Sequence, residues 1–296
     1  MSDFLFNWLI NVPAFAAPFA LAALGLILSE RAGVLNLGAE GFMLAGALAG
    51  IGLMVNGATP LAALGGSVVA GMAMGLVFAF LAASLRINHV IAGLALVFFS
   101  EALTRYIAAY AGWTNKPIKG LEPILFGQDI VVYATPLLCL ACVWLLNRTR
   151  FGLALRAVGE NPAAADAAGI DVTTMRILAI LIGTALIGLA GGYLTVAVSK
   201  IWTNSVVGGR GWIAIALVIF ARWHPWRALL GAVLFGCIEA LIPRIAATGV
   251  DVPRYFLHMT PYLATLGVMI WAAIRGSDRS AQPAALGLHH IREDRN

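Results

Sequence analysis

The chain has 296 residues, of which 61% are hydrophobic and 11% charged. Soluble domains carry about 25% charged residues, so this composition excludes an ordinary soluble fold. The net charge of +5 is spread over short segments with no run of like charge, which excludes a nucleic-acid-binding face.

Apolar runs of membrane-spanning length follow one another almost without gaps. A bilayer core of about 30 Å needs about 17–25 apolar residues per helix. The pattern predicts an all-α polytopic transmembrane helix bundle of about nine spans, within limits of eight to ten: 12–29, 41–56, 60–83, 89–111, 130–147, 177–198, 207–222, 226–243 and 261–274. Residues 1–275 read as one transmembrane domain, and 276–296 as a polar, basic tail expected to be disordered. The start of the chain has Asp3 and no Lys or Arg before the first apolar stretch, so it does not read as a signal peptide. Residues 4–10 suit a short interfacial helix.

The second span is preceded by a Gly-rich break, Arg31–Gly41, tolerated at membrane depth only where protein or a water-filled cavity satisfies its backbone. Two carboxylates, Glu30 and Glu40, and Asn36 lie here beside apolar spans. Glu30, Arg31 and Glu40 either brace helix ends or face a pathway, and Glu30 is expected to pair with Arg31 or another helix, because an unpaired charge at the bilayer centre costs ~3 kcal/mol or more. Asn36, flanked by apolar residues, is the better candidate to line a pathway. Gly71 and Gly75 have the spacing that lets membrane helices approach closely. Glu101 and Arg105, four apart, share a helix face and can pair. Cys139, Cys142 and Cys237 lie in apolar runs and read as packing residues rather than metal ligands.

The longest polar connection is 148–176. Its centre runs from Gly159 and Glu160 to Gly169 and Ile170, and reads as a short helix with both ends marked. Asn161 suits the N-cap, Pro162 the first helical position, Ala163, Ala164 and Ala167 the body with Asp166 among them, and Gly169 the left-handed stop. Such a small-faced helix either docks in a partner's groove or is an ordinary surface helix. With this loop inside, alternation also places Arg31, Arg86, Arg222, Arg227 and the C-terminal tail inside, leaving Lys116, Lys119, Lys200, Arg210, Arg244 and Arg254 outside. The N-terminus is then outside and the C-terminus inside. Further on, Gly208, Gly209 and Gly211 precede a helix, where free N–H groups can face a ligand or a neighbouring helix can pack closely. Tyr193, Trp202 and Trp212 flank spans six and seven, where they stack on a ring-shaped solute or serve as interfacial aromatics. Glu239 lies within the eighth span.

The segment from Gly159 to Ile170 resembles the cytoplasmic coupling loop of ABC importer permeases that serve branched-chain amino acids, simple sugars and nucleosides. The run Glu30-Arg31-Ala32-Gly33-Val34-Leu35-Asn36-Leu37-Gly38-Ala39-Glu40-Gly41 is similar to the N-terminal signature of the nucleoside and simple-sugar branch. The runs Gly208–Ala216, Phe220–Pro225 and Pro261–Leu266 also resemble it. The resemblance implies a permease subunit in the bacterial inner (plasma) membrane, with residues 159–169 coupling it to a cytoplasmic ATPase. It also implies a second, homologous permease in a heterodimer and an extracytoplasmic binding protein that carries a nucleoside or a simple sugar. Candidate pathway residues are Asn36, Glu40, Glu101, Tyr193, Gly209, Trp212 and Glu239. The chain has no phosphate-loop motif, so ATP and Mg are expected on the ATPase, with no cofactor or metal held here. An ion-driven secondary transporter is the alternative; Glu101 and Glu239 would be its coupling carboxylates. No Gly-x-Ser-x-Gly motif supports an intramembrane serine enzyme.

Overall fold

The computed structural model describes residues 2–247 and 282–288, with the helical positions Met259, Leu263, Leu266, Gly267 and Ile270 between them. Those residues form α1 (Ser2–Arg31), α2 (Ala39–Val55), α3 (Pro60–Ala79), α4 (His89–Tyr110), α5 (Ile130–Arg148), α6 (Arg150–Glu160), α7 (Pro162–Ala167), α8 (Val172–Tyr193), α9 (Arg210–Ala221) and α10 (Pro225–Ala247). Single π-helical turns extend α3 through Phe80–Ser84 and α8 through Leu194–Ser199.

Six of these helices are long and apolar enough to cross a membrane: Leu5–Arg31, Pro60–Ser84, His89–Tyr110, Ile130–Arg148, Val172–Ser199 and Pro225–Ile245. The spans expected at 41–56 and 207–222 correspond to α2 and α9, which have 17 and 12 residues. At 1.5 Å per residue they reach about 25 and about 18 Å, less than a straight crossing of about 30 Å. The span expected at 261–274 lies mostly outside the described residues. The separate interfacial helix expected at 4–10 is instead the beginning of α1, because no Gly or Pro separates residues 4–10 from the first span and the helix continues through Pro13 and Pro18.

Burial ranks the helices. In the most apolar stretch of each span, 83% of α1 and 61% of α8 is buried, against 28–33% in the other four. The bundle is therefore built around α1 and α8, with α3 and α2 on α8 and α10 on α1. Lipid tails are as apolar as leucine, so close backbone contact holds such pairs together. Gly188 on α8 is where α2 and α3 both touch it. A Cβ on Gly46 would lie 2.0 Å from the Gly188 carbonyl oxygen, and one on Gly71 would lie 2.7 Å from the Gly188 Cα. The Gly71 spacing read from the sequence serves this contact. Gly188→Leu is expected to separate three helices, costing well above the 1–3 kcal/mol of ordinary overpacking; loss of a monodisperse peak in detergent gel filtration checks it.

Candidate functional site

The break after α1 is a junction of buried polar groups. Asn36 is fully buried, its Oδ1 accepts the Gly38 amide at 3.0 Å, and its Nδ2 has no hydrogen-bond partner. It shapes the turn into α2. Glu30 does not pair with Arg31. It accepts a hydrogen bond from the Trp223 indole Nε1, while Arg31 donates to the Trp223 carbonyl from Nε at 3.3 Å and Nη2 at 3.1 Å. One turn, between α9 and α10, thus satisfies both charged residues at the end of α1.

Glu40, in the first turn of α2, reaches across to the start of α9. Its Oε1 accepts the Gly209 amide and its Oε2 the Gly211 amide, each at 2.8 Å. Gly209 caps α9 with φ +83°, a left-handed geometry that glycine adopts without a Cβ penalty. Gly211 is needed for space, since a Cβ there would lie 2.4 Å from the Glu40 amide nitrogen. The positive ends of two short helices, α2 and α9, therefore share one carboxylate. Beside it Arg210 pairs with Glu239 of α10 at 2.6 Å, with the two side chains 20% and 11% exposed, and donates to the Val206 and Val207 carbonyls. Arg210, read from the sequence as a loop residue, is half-buried at the first position of α9. The pairing leaves no local pattern in the sequence, because the partners stand 29 residues apart.

The remaining candidates are dispersed. Glu101 pairs with Arg105 on the half-exposed side of α4, as the i, i+4 spacing suggested. Trp212 is 38% exposed. Tyr193 is fully buried; its hydroxyl donates to Asp129 Oδ2 at 2.7 Å, and it borders a cavity of about 530 Å3 with Asn11, Asp129, Lys200 and Arg244. Asp129 also caps α5 through the Val131 and Val132 amides. That aspartate was not singled out by sequence, and Lys200 only as an outside basic residue. The signal for Asp129, an Asx N-cap before an apolar run, was available. Among the described residues no group of three His, Cys, Asp or Glu side chains is arranged to hold a metal ion.

The 148–176 connection contains the short helix. Asn161 Oδ1 accepts the Ala164 amide at 3.0 Å, Pro162 opens α7, and Gly169 closes it with φ +84°. The Gly169 amide bonds to Asp166 O and the Ile170 amide to Ala165 O. Ala165 alone is buried, resting on Val158 and Val172. Asn161, Ala163, Ala164, Ala167 and Gly169 are exposed, and Pro162 and Asp166 half-buried. Gly159 differs: it is buried, and a Cβ on it would lie 2.1 Å from the Arg31 carbonyl oxygen, so it seats α6 on the end of α1 instead of facing outward.

Part of the tail expected to be disordered is folded onto this junction. The Ala285 amide donates to Gly159 O and the Gly287 amide to Gly33 O, each at 2.9 Å, and the Ala284 amide to Glu160 Oε2 at 3.3 Å. Pro283 and Ala285 are buried. The strap ties the residues just before α7 to the break after α1. A chain stopped at Ala281 is expected to show faster amide hydrogen exchange at Val158–Ala165; unchanged exchange would show that the strap holds nothing.

Residues 8–272 match the family described as branched-chain amino acid transport system permease component. Similar proteins include a Haloferax volcanii protein provisionally named the glucose ABC transporter permease TsgC13, 38% identical with 96% of this chain and 98% of that protein covered. The guanosine ABC transporter permease NupQ of Bacillus subtilis is 33% identical, with 97% and 98% covered. The nucleoside ABC transporter permease NupC of Lactococcus lactis is 30% identical, with 95% and 96% covered. The fold is similar to that of an inward-facing transporter provisionally assigned to the metal-chelate ABC type, with TM-score 0.52 and 16% identity over 90% of this chain and 86% of that one. The match over nearly the whole chain, and the likeness to three permeases at 30–38% identity, agree with a helix bundle that carries an outward-facing capped helix: the chain belongs to the branched-chain amino acid transport system permease family.

Proposed function

We propose that the chain is the permease subunit of an ATP-driven importer of the ABC type, which moves a nucleoside, or next a simple sugar, across the bacterial inner membrane. As a permease component it is a transport subunit and not an enzyme. ATP and Mg belong to a cytoplasmic ATPase, a second homologous permease completes the pore as a heterodimer, and an extracytoplasmic binding protein delivers the solute. The observation that carries this reading is α7, capped at both ends, with Ala165 buried beneath it and Ala163, Ala164 and Ala167 exposed for a partner. Methyl groups let a groove close tightly over the helix, and the cap keeps it rigid enough to transmit displacement. Nucleoside is placed first because NupQ and NupC carry guanosine and nucleoside in their names, whereas TsgC13 carries glucose.

On this reading residues 1–275 are the membrane domain, with nine spans counting α2, α9 and the apolar run 261–274, which lies mostly outside the described residues. The N-terminus is outside, and the tail 276–296 is cytoplasmic beside the coupling loop 148–176. Ala167→Cys, paired with single cysteines along the ATPase groove, tests it. Disulfide formation in the assembled complex, modulated by nucleotide, is expected; labelling of Ala167→Cys by an impermeant maleimide from the outside would overturn both docking and orientation.

A further inference from the structure

A second polar feature lies at the same end of the bundle and plays no part in the reading above. The last residue of α1, the last turn of α5 and the start of α10 meet around a cleft of about 60 Å3, bordered by Arg31, Asn147, Arg156, Trp223 and His224. Three apolar spans end there, at Arg31, Arg148 and Pro225, which places the cleft at the depth of lipid headgroups. By volume it holds several waters, and so a single compact anion, but not a nucleoside or sugar.

Its lining draws on three separate elements: the guanidinium groups of Arg31 from α1 and Arg156 from α6 supply the charge, and the His224 imidazole from the α9–α10 turn supplies a further polar edge. No carboxylate borders it. The two acidic groups nearby are already engaged, Glu30 by the Trp223 indole and Glu160 by the Ala284 amide. Arg31 is within electrostatic range of Arg156 and of Glu160, and His224 is within range of Arg31 and Arg227. The Arg156 Nε is shielded from water and has no hydrogen-bond partner. A desolvated guanidinium N–H without an acceptor is costly, and phosphate oxygens satisfy such forks.

We infer that this cleft binds one phosphate group, borne by an anionic lipid of the adjoining leaflet or free in solution. Bound there, the phosphate joins α6, which leads into α7, to α1 and α10, so that coupling-loop position responds to the anion.

The test uses the complex assembled with its partner subunits in a zwitterionic detergent. Dioleoylphosphatidylglycerol, dioleoylphosphatidylcholine and inorganic phosphate are titrated in turn, with retained ligand read by native mass spectrometry and unfolding temperature read in parallel. Phosphatidylglycerol is expected to be retained in preference to phosphatidylcholine. Arg156→Gln should weaken it by about fivefold, the worth of one basic side chain near a membrane surface. Arg156→Lys should keep most of the binding, and Arg148→Gln, on the same end but outside the cleft, should leave it unchanged. Competition by inorganic phosphate identifies a site open to the free anion; Arg156-dependent binding of lipid without that competition identifies the lipid-borne group. His224→Gln, an exposed position, repeats the reading should Arg156→Gln fail to assemble. Equal losses in Arg156→Gln and Arg148→Gln would mean diffuse surface charge, and anion binding indifferent to both Arg156 and His224 would likewise overturn the site.

Discussion

Glu40→Ala is expected to cost the bundle about 2–6 kcal/mol, because it strips the acceptor from two N–H groups at the start of α9 and each such buried loss is worth about 1–3 kcal/mol. The carboxylate bonds to the Gly209 and Gly211 amides at 2.8 Å, and nothing else nearby takes its place. Water cannot replace it at Gly211, which is buried against the Glu40 backbone, whereas the Gly209 amide is half-buried and sets the lower end of that range. Against a typical total of 5–15 kcal/mol this is a large fraction. Glu40→Gln separates charge from shape. It retains one carbonyl oxygen, turns the other site into a donor facing an N–H, and removes the negative charge at two helix N-termini, so its loss falls between wild type and alanine. Thermal unfolding of the purified protein, with the ranking wild type above Gln above Ala, checks the assignment. A Glu40→Gln variant as stable as wild type would show that the charge is not what joins α2 to α9.

The second large effect falls on activity alone. Ala164→Arg places a long cation on the exposed face of α7, where a closely fitted groove is expected to reject it. Truncations or insertions at the centre of an interface commonly cost 2 kcal/mol or more, which is about thirtyfold or more in binding. Solute uptake should fall at least that far. The fold should not notice, because substitutions at exposed sites without special roles stay within about 0.5 kcal/mol. Uptake lost together with an unchanged unfolding temperature is the expected pair of results. Asn161→Ala should act more weakly, through about 1 kcal/mol of lost capping.

The two regions differ in how far the sequence revealed them. The α7 helix could be read residue by residue, because its signals are local: Asn161 bonds to Ala164, three positions on, and the stop at Gly169 needs only a residue that tolerates positive φ. The six long spans were legible for a similar reason, since hydropathy is a property of contiguous residues. The junction was not. Glu40 meets Gly209 across 169 positions and Glu30 meets Trp223 across 193, and no local pattern announces such partners. Asn36 was legible as a buried polar residue in an apolar break, but the bond from the Gly38 amide to its Oδ1, which shapes the turn, depends on backbone geometry that composition does not reveal. The strap was hidden because Pro283, Ala285 and Leu286 look like any small, loop-forming residues. Its bonds are made by backbone groups, which every sequence possesses.

These observations describe a transport subunit whose helices are locked to one another by close glycine packing and buried polar contacts, with one short capped helix exposed that is proposed to receive force from an ATPase. The most direct measurement of that claim is uptake of labelled guanosine into proteoliposomes containing this chain, its permease partner, the ATPase and the binding protein. Uptake should require ATP on the ATPase side, survive a proton ionophore and vanish with Ala164→Arg. Uptake that proceeds without ATP and collapses with the ionophore would contradict the account.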